Sequence, residues 1–375
     1  MNVRSFNCIQ VSRRALRHNY QVISKAAGAE VSVMAMVKAD AYGHGMVAAA
    51  EVFADAGCEN FGVAELREAV VLREAGVGGA IYVTLGFLPE DAELLFRYDL
   101  VPVIYSHETA AILSSAAQAL GREIGVHIKV DTGMSRLGLL PDEVPAFLAG
   151  IASLQGIRPT GIMSHFPEAD VPGAASTARG YATFAEVCRE AKSSFAGIRH
   201  IANSGAVLNF PASYCEMVRS GISLYGYHPA GRLADDHDDT LGILPAMSFT
   251  TRVMQVKTIP AGTGVSYGHT YHTERPTTLA VLPVGYEDGY SRLFSNRGHV
   301  LIGGQRVPVC GRVCMNMCMV DVTGIEGVRA GDEAVLMGCQ GGEQITAEDL
   351  AEWMGSISYE VLCSLGNNNQ REYIE

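Results

Sequence analysis

Near its N-terminus the chain reads Met34-Ala-Met-Val-Lys38-Ala-Asp40-Ala-Tyr42-Gly-His44-Gly45. The apolar run over residues 31–37 has the length of one buried strand, and the polar and glycine residues that follow Lys38 favour a turn. A lysine at the buried end of a strand is costly unless it has a partner or a chemical role. One such role is nucleophilic, since a desolvated neutral amine forms a Schiff base with a carbonyl compound. The alternative is a surface lysine that follows an edge strand.

Short apolar runs alternate with segments of helical composition over the first two thirds of the chain. The runs cover residues 31–37, 60–64, 81–84, 101–105, 125–130, 161–164, 200–202 and 217–224. The helical segments include residues 46–56, 66–74, 107–120, 141–151 and 175–192. Eight such units predict an α/β fold, a closed (β/α)8 barrel of the TIM type. The alternative, a doubly wound open sheet, would want a glycine-rich nucleotide loop after its first strand, and the sequence has none there.

Polar residues follow many of the predicted strands. They are Lys38, Thr84, Ser106, Asp131, His165, Asn203 and Ser204, and Gly221 lies within the last predicted strand segment. Because the carboxyl ends of barrel strands form one rim, we expect several of these residues to converge there. The alternative is that the Gly, Asn and Asp residues only form turns.

A second, mainly β domain follows the barrel. Residues 230–240, AGRLADDHDDT, are polar, acidic and aperiodic, as is typical of a linker. The β-rich segments beyond it cover residues 249–259, 278–284, 299–302, 305–309, 317–322 and 334–337, and residues 346–354 have helical composition. We therefore predict a barrel domain over residues 1–235 and a mainly β domain over residues 236–375.

Composition and charge exclude several classes of protein. Hydrophobic residues make up 48% of the chain and charged residues 18%, which predicts a packed globular protein. The net charge is −12 and no basic stripe is present, so we expect no nucleic-acid partner. There is neither an apolar run of membrane-spanning length nor a signal-peptide pattern at the N-terminus. Nine cysteines, an odd number, do not suggest a disulfide framework, and we predict a cytoplasmic protein with free thiols.

Three cysteines recur every four residues, at Cys310, Cys314 and Cys318. On a helix they would share a face and could bind a metal ion. The surrounding sequence is β-rich, and no His-Cys pattern completes a zinc site. We predict no metal site.

The stretch VKADAYGHG at residues 37–45 closely resembles the cofactor-lysine motif of the alanine racemase family, and the resemblance extends over nearly the full chain. It implies a pyridoxal 5'-phosphate (PLP) enzyme in which Lys38 binds the cofactor as a Schiff base. The implied activity is interconversion of L-alanine and D-alanine by a two-base mechanism, which supplies D-alanine for peptidoglycan. Lys38 would serve the D-alanine face.

Further motifs resemble the family's cofactor-binding segments. Arg219 lies in Glu216-Met-Val-Arg219-Ser-Gly-Ile-Ser-Leu-Tyr225-Gly226, and the resemblance implies that it donates to the pyridine nitrogen of PLP. Without the resemblance, an arginine paired with a surface carboxylate would be the simpler interpretation. The other cofactor contacts implied by resemblance are the His165 ring, backbone donors at Ser204, Gly221 and Ile222, and the phosphate-binding hydroxyls of Tyr42 and Tyr359.

Three motifs resemble segments that handle the substrate. Asp131-Thr-Gly-Met-Ser-Arg136-Leu-Gly138 implies that Arg136 lies near the substrate carboxylate, and in some family members the residue matching Lys129 is carbamylated. Gly264-Val-Ser-Tyr267-Gly-His resembles the segment with the second base, so Tyr267 would serve the L-alanine face. Gly311-Arg-Val-Cys-Met315-Asn316 resembles the loop whose Met315 amide binds that carboxylate.

The chain departs from the family pattern in two places. The family commonly has Asp where this chain has Asn316, and the ending Gly366-Asn-Asn-Asn-Gln-Arg is not the usual basic-proline one. The resemblance also implies a head-to-tail homodimer with active sites composed of both chains. Three alternatives remain open: a barrel PLP decarboxylase, a PLP carrier without catalysis, and a serine or broad-specificity racemase of the same family.

Overall fold

The computed structural model describes residues 5–192, 196–231 and 241–375. The chain divides into two compact units. The barrel unit consists of Leu16–Ala41 and Met46–Leu244, and the β unit consists of Met1–Ala15, Tyr42–Gly45 and Pro245–Glu375. The first strand, β1, covers Cys8–Ser12 and belongs to the β unit.

Eight parallel strands form the barrel unit's sheet. They are β2 Ser32–Met36, β3 Asn60–Val63, β4 Ala80–Val83, β5 Val101–Ile104, β6 Ile124–Lys129, β7 Ile157–Met163, β8 Ile198–His200 and β9 Met217–Ser220. The order across the sheet is β8-β7-β6-β5-β4-β3-β2-β9. The Arg219 N–H of β9 donates to the carbonyl of Ala202, just after β8, at 2.9 Å. This bond links the two ends of the sheet, and the predicted eight-stranded barrel is confirmed.

Helices alternate with these strands. They are α1 Arg13–Ala27, α2 Met46–Asp55, α3 Leu66–Glu74, α4 Ala92–Arg97, α5 His107–Leu120, α6 Val144–Ile151, α7 Ala175–Ala191 and α8 Ser204–Asn209. The Ser106 hydroxyl begins α5 by accepting from the Thr109 N–H at 3.2 Å, and Gly121 ends it with a φ of +59°. Thus Ser106, one of the polar residues that follow a predicted strand, has a capping role.

Two glycines make room for large side chains between neighbouring barrel strands. A Cβ at Gly161 of β7 would overlap the ring of His127 on β6, and one at Gly62 of β3 would overlap the sulfur of Met36 on β2. His127 and Met36 are both buried. A larger residue at either glycine would displace a core side chain, because protein interiors are closely packed.

The described residues of the β unit form three sheets. Its remaining strands are β10 Met247–Arg252, β11 Gln255–Ile259, β12 Gly264–Val265, β13 Tyr271–His272, β14 Thr277–Leu282, β15 His299–Ile302, β16 Gln305–Pro308, β17 Cys318–Asp321, β18 Glu333–Gln340, β19 Glu343–Ile345 and β20 Arg371–Ile374. One sheet has the order β16-β15-β18-β10-β1-β20 with β19 beside β18, the second has the order β11-β14-β17, and β12 pairs with β13. Two helices, α9 Ala347–Met354 and α10 Ser358–Asn368, complete the unit. The predicted mainly β character is confirmed.

The predicted division of the chain placed all of residues 1–235 in the barrel domain. The structure instead places the N-terminal strand β1 in the β unit. Strand β1 pairs antiparallel with β10, where Ile9 lies opposite Phe249, and parallel with β20, where Ile9 lies opposite Arg371. Burial alternates along β1, because Ile9 and Val11 are buried and their neighbours are partly exposed. This is the pattern of a strand that packs one face against a core, and it explains why β1 joins the sheet of the β unit. The predicted boundary between residues 235 and 236 lies outside the described residues, as does most of the predicted linker.

No helix among the described residues is long and apolar enough to cross a membrane.

Candidate active site

Lys38 begins a left-handed turn just beyond β2. Four consecutive residues have positive φ angles, 53° at Ala39, 53° at Asp40, 56° at Ala41 and 53° at Tyr42. This conformation costs an L-residue roughly 1–2 kcal/mol, because Cβ approaches the carbonyl oxygen. Such a run persists only where the surrounding structure holds it. The sequence predicted a turn here, but not its hand.

Side chains of the barrel unit hold this turn at both ends. The Glu68 carboxylate on α3 accepts from the Ala39 N–H at 2.7 Å and from the Ala64 N–H at 2.8 Å. The Asp40 carboxylate accepts from the Met46 N–H, at the start of α2, at 2.7 Å. Hydrogen bonds to a charged group are stronger than those between neutral groups. Glu68, which the sequence analysis did not identify, therefore fixes the backbone beside Lys38.

Arg219 lies on β9 in the barrel interior and is only 4% exposed. Its Nη1 donates to Nδ1 of His200 at 3.1 Å and to the His200 carbonyl at 3.0 Å. Its Nη2 donates to the carbonyls of Ser164 at 2.6 Å and Ile201 at 3.2 Å, and lies 3.2 Å from Nδ1 of His165. Burial lowers the Arg219 pKa to about 10, so the guanidinium remains charged at neutral pH.

One donor of Arg219 stays available. Within the part of the chain that the structure describes, the Nε–H donates to no acceptor, although the side chain is buried. This Nε atom is not among the fully buried, unpaired side-chain atoms of the described residues, so a ligand can reach it and supply the acceptor. A pyridine nitrogen is an acceptor of the kind required.

His200 and His127 form a second layer behind Arg219. Nε2 of His200 lies 2.8 Å from Nδ1 of His127. Burial and, to a smaller extent, the charge of Arg219 together lower the pKa of His127 to about 3 and that of His200 well below its usual range. Both rings are therefore neutral at physiological pH. The sequence analysis missed both histidines, although His127 is a polar residue between two apolar ones in β6.

Positive charge is concentrated around His165. Burial lowers the His165 pKa well below its usual range, and nearby cations contribute further. These cations are Arg219, Arg136, Lys38 and Lys129. Their charges act on one imidazole, so the structure brings these predicted site residues of the barrel unit together. An anionic ligand would relieve their mutual repulsion.

Lys129, at the end of β6, is buried among these cations. Burial and, to a smaller extent, the charges of Arg219, Arg136 and Lys38 together lower its pKa to about 8, against the opposing charge of Asp131. A substantial fraction of the amine is therefore neutral at mildly alkaline pH.

The loop that carries Arg136 is organised by Asp131. The Asp131 carboxylate accepts from the backbone N–H groups of Gly133 at 2.9 Å, Ser135 at 3.0 Å and Arg136 at 3.1 Å. Burial alone would raise the Asp131 pKa, but these hydrogen bonds lower it below its usual value. The Arg136 side chain is exposed, so it can reach an anion beyond the loop.

Ser204, Gly221 and Ile222 lie close together beyond the ends of β8 and β9. The Gly221 N–H donates to the Ser204 hydroxyl at 2.8 Å, so it is already satisfied. The Ile222 N–H donates to no acceptor among the described residues. Of the three predicted backbone donors here, the N–H groups of Ser204 and Ile222 have no acceptor among the described residues and are thus left available to phosphate oxygens.

Tyr42 and Tyr359 lie together in the β unit, with ring centroids 6.0 Å apart. Burial raises the Tyr42 pKa, and the neighbouring Tyr359 raises it further. The Tyr42 hydroxyl therefore stays protonated and can donate a hydrogen bond.

Tyr267 and Met315 lie on neighbouring loops of the β unit and are exposed, Tyr267 by 70% and Met315 by 53%. Ser266, just before Tyr267, has a φ of 62° and donates from its hydroxyl to the Arg312 carbonyl at 2.6 Å. A Cβ at Gly311 would overlap the Val265 carbonyl, so the two loops are in close contact. Across the described residues the Met315 N–H has no acceptor.

The three regularly spaced cysteines do not share a helical face, because Cys318 lies in strand β17. In residues 5–192, 196–231 and 241–375, no group of three or more His, Cys, Asp or Glu side chains could hold a metal ion.

Comparison with known proteins identifies the family. "Alanine racemase, N-terminal domain" matches residues 11–229 and "Alanine racemase, C-terminal domain" matches residues 246–373. The alanine racemase of Halothermothrix orenii is 41% identical over 366 residues, which cover 97% of this chain and 96% of the relative. The structure of alanine racemase from Streptomyces lavendulae has a TM-score of 0.93 at 34% identity and covers 100% of this chain and 98% of its own. That of the Bartonella henselae enzyme, with covalently bound pyridoxal phosphate, has a TM-score of 0.89 at 28% identity and covers 99% and 100%. The chain belongs to the alanine racemase family.

Proposed function

We propose that this chain is an alanine racemase that interconverts L-alanine and D-alanine with PLP and supplies D-alanine for peptidoglycan synthesis. The observation that carries the proposal is the arrangement in the barrel unit, where Nη2 of Arg219 lies 3.2 Å from Nδ1 of the half-buried His165, and the charges of Lys38 and Lys129 act on the same imidazole. Family membership over the full chain supports the same reaction.

The residues present fit PLP. Lys38 would hold its carbonyl carbon, the Nε–H of Arg219 would donate to its ring nitrogen, and His165 would lie against the ring. The phosphate would take the N–H groups of Ser204 and Ile222 and hydroxyl donors, with Gly221 bonded to the Ser204 hydroxyl beside them. The hydroxyls proposed for this role are Tyr42 and Tyr359. When bound, the cofactor supplies an electron sink that acidifies the Cα–H bond of the amino acid.

Racemisation removes a proton from one face of Cα and delivers one to the other face. We assign the face reached from D-alanine to the Lys38 amine and the face reached from L-alanine to the Tyr267 hydroxyl. Arg219 stays cationic at neutral pH, and a cation beside the ring nitrogen disfavours its protonation. An unprotonated ring nitrogen withdraws electrons from the substrate less strongly, so the side reactions transamination and decarboxylation are disfavoured. A barrel decarboxylase would be expected to place a carboxylate where Arg219 lies.

The substrate carboxylate would be bound by the Arg136 guanidinium and the Met315 N–H. Lys129 could be modified by CO2, because its pKa of about 8 makes the neutral amine available for carbamate formation. A carbamate on Lys129 would give Arg136 an anionic partner and fix its orientation.

We also propose a homodimer with active sites composed of both chains. Tyr267 and Met315 are largely exposed on the β unit of their own chain, whereas proton transfer at Cα requires a site sheltered from water. A two-fold dimer interface would shelter both loops of each chain and would therefore form two equivalent active sites. A carrier without catalysis would have no use for Tyr267. We place the protein in the cytoplasm, consistent with nine cysteines without disulfide bonds.

The proposal is tested by turnover of the PLP-loaded protein on alanine, serine and lysine. We expect kcat/KM to be highest for alanine in both directions, with Lys38→Ala inactive. Faster turnover of serine or lysine would instead support the serine or broad-specificity racemase, which shares this machinery and differs in pocket size.

A further inference from the structure

The residue at which the chain departs from its family, Asn316, contacts a neighbouring loop of the same unit. Its side-chain amide donates to the Glu287 carboxylate. The backbones beside this contact are also joined, because the Tyr286 N–H donates to the Cys314 carbonyl and the Glu287 N–H to the Met315 carbonyl, each at 3.1 Å. The loop that presents Met315 is therefore attached to residues 285–288 by two backbone bonds and one side-chain bond.

The close approach of these loops depends on Gly285. A Cβ there would overlap the carbonyls of both Cys314 and Met315. The Gly285 N–H donates to the Asp288 carboxylate at 2.9 Å, and the Cys314 N–H donates to the Met317 carbonyl at 2.9 Å. These bonds engage the carbonyls and N–H groups around Met315, and the Met315 N–H is left for a ligand.

The chemistry of the pair explains the departure at residue 316. A carboxylate accepts hydrogen bonds only, so the contact with Glu287 requires a donor at position 316, and the asparagine amide supplies one. An aspartate at that position would set two carboxylates against each other, and like charges at this separation repel. Asn316 is thus matched to Glu287.

We propose that Glu287 and Asn316 form a positioning pair that fixes the Met315 N–H and thereby sets the affinity for the substrate carboxylate. The inference rests on the proposed function, in which that N–H binds the carboxylate. Neither residue touches the reacting atoms. The pair lies near the surface, so it contributes through geometry, and a small displacement of a binding group is enough to weaken affinity.

Exchange of the partners tests the pair. Asn316→Asp should raise KM for L-alanine and D-alanine about fivefold, while kcat changes less than twofold. The double variant Glu287→Gln/Asn316→Asp restores an amide opposite a carboxylate, and its KM should return to within about twofold of the parent. Glu343→Gln is the control, since Glu343 lies 3.6 Å from Arg306 elsewhere on the same unit and its loss should leave KM unchanged.

Two inhibitors separate positioning from general stability. Propionate has the carboxylate of alanine without its amine, and ethylamine has the amine without the carboxylate. Asn316→Asp should weaken inhibition by propionate about fivefold and leave inhibition by ethylamine unchanged. Equal weakening of both inhibitors, or a double variant no better than Asn316→Asp, would overturn the positioning pair.

A crystal structure of the PLP-loaded protein with propionate distinguishes failure of the positioning pair from failure of the proposed function. A carboxylate within hydrogen-bond distance of the Met315 nitrogen supports the proposed function, and the inhibitor series then decides whether the pair positions it. A carboxylate bound elsewhere would contradict the proposed role of Met315 itself, whatever the variants show.

Discussion

Arg219 and His200 are joined by two hydrogen bonds, from Nη1 to the imidazole Nδ1 at 3.1 Å and to the backbone carbonyl at 3.0 Å. A guanidinium can only donate, so Nδ1 of His200 carries a lone pair and the ring proton lies on Nε2. That proton is donated to Nδ1 of His127, 2.8 Å away. The charged arginine is therefore held by neutral rings, which orient it without repelling it.

The charge of Arg219 should restrain side reactions. We predict that Arg219→Glu slows racemisation by about 100-fold or more, because an oriented charge at a reacting centre is worth about that factor. The variant should also release more pyruvate, since a carboxylate favours protonation of the ring nitrogen. Coupled assays for D-alanine and pyruvate measure both effects.

Arg199→Gln is the matched control for Arg219→Glu. Arg199 lies on β8 but forms a surface ion pair with Glu216, so its loss should alter neither assay. Parental racemisation and parental pyruvate release in Arg219→Glu would refute the role of Arg219.

Lys38 should be the lysine that carries the cofactor. Borohydride reduction of the purified protein followed by peptide mapping should find the pyridoxyl group on Lys38, since the left-handed turn fixes it beside the cationic cluster. Lys129 is the internal control, because its pKa of about 8 makes its neutral amine available to an aldehyde. A label on Lys129, or on no lysine, would contradict the assignment.

Lys129 should take up CO2 at a lower pH than an ordinary lysine. Only the neutral amine adds CO2, and a pKa lowered from 10.5 to about 8 increases its neutral fraction between pH 7 and 9. At constant pressure of labelled CO2, the carbamate signal in a ¹³C spectrum should therefore rise through this range. The signal should be absent from Lys129→Met. A spectrum that is the same for both proteins would show that Lys129 stays unmodified.

Tyr267 should act on one face of the substrate. Tyr267→Phe should slow the exchange of the α-proton of L-alanine with solvent deuterium far more than that of D-alanine, when each is measured as an isolated single-direction step. Tyr98→Phe is a suitable control, because the Tyr98 hydroxyl only donates to Glu74 at the surface of the barrel unit. Equal losses in both directions would disprove the assignment of faces.

Mixed dimers should reveal whether the sites are shared between chains. A dimer of one Lys38→Ala chain and one Tyr267→Phe chain, isolated with two affinity tags, would contain one site with both defects and one intact site if each site uses both chains. We expect about half of parental activity, since one of two sites is complete. Activity no greater than that of the two homodimeric variants would show that Tyr267 serves the Lys38 of its own chain.

Periodicity in the sequence was sufficient to predict the barrel and much of its detail. The predicted segments 66–74, 107–120 and 299–302 coincide with α3, α5 and β15. These elements have clear hydrophobic patterns and end at turn-forming residues, so local preference and burial agree. Strands β1 and β20 were not predicted, because they are short and are stabilised by pairing with each other across more than 300 positions of sequence.

The candidate site was predicted less completely, for a related reason. The left-handed turn at Ala39 contradicts local preference and depends on Glu68, a residue 29 positions away. The buried contact between His127 and His200 likewise links two strands that are distant in sequence. Sequence reasoning identified side chains with obvious chemistry, such as Lys38 and Arg219. It did not identify the residues that orient them, which depend on tertiary contacts.

The left-handed turn has a consequence for the order of maturation. Because L-residues disfavour this conformation, the nascent chain does not adopt it locally, and the turn forms only when Glu68 on α3 and the start of α2 are in place to hold it. We therefore expect Lys38 to reach its final position late, after these helices have packed on β2. Cofactor attachment should accordingly follow the assembly of this part of the barrel, and partly folded chains should remain unloaded.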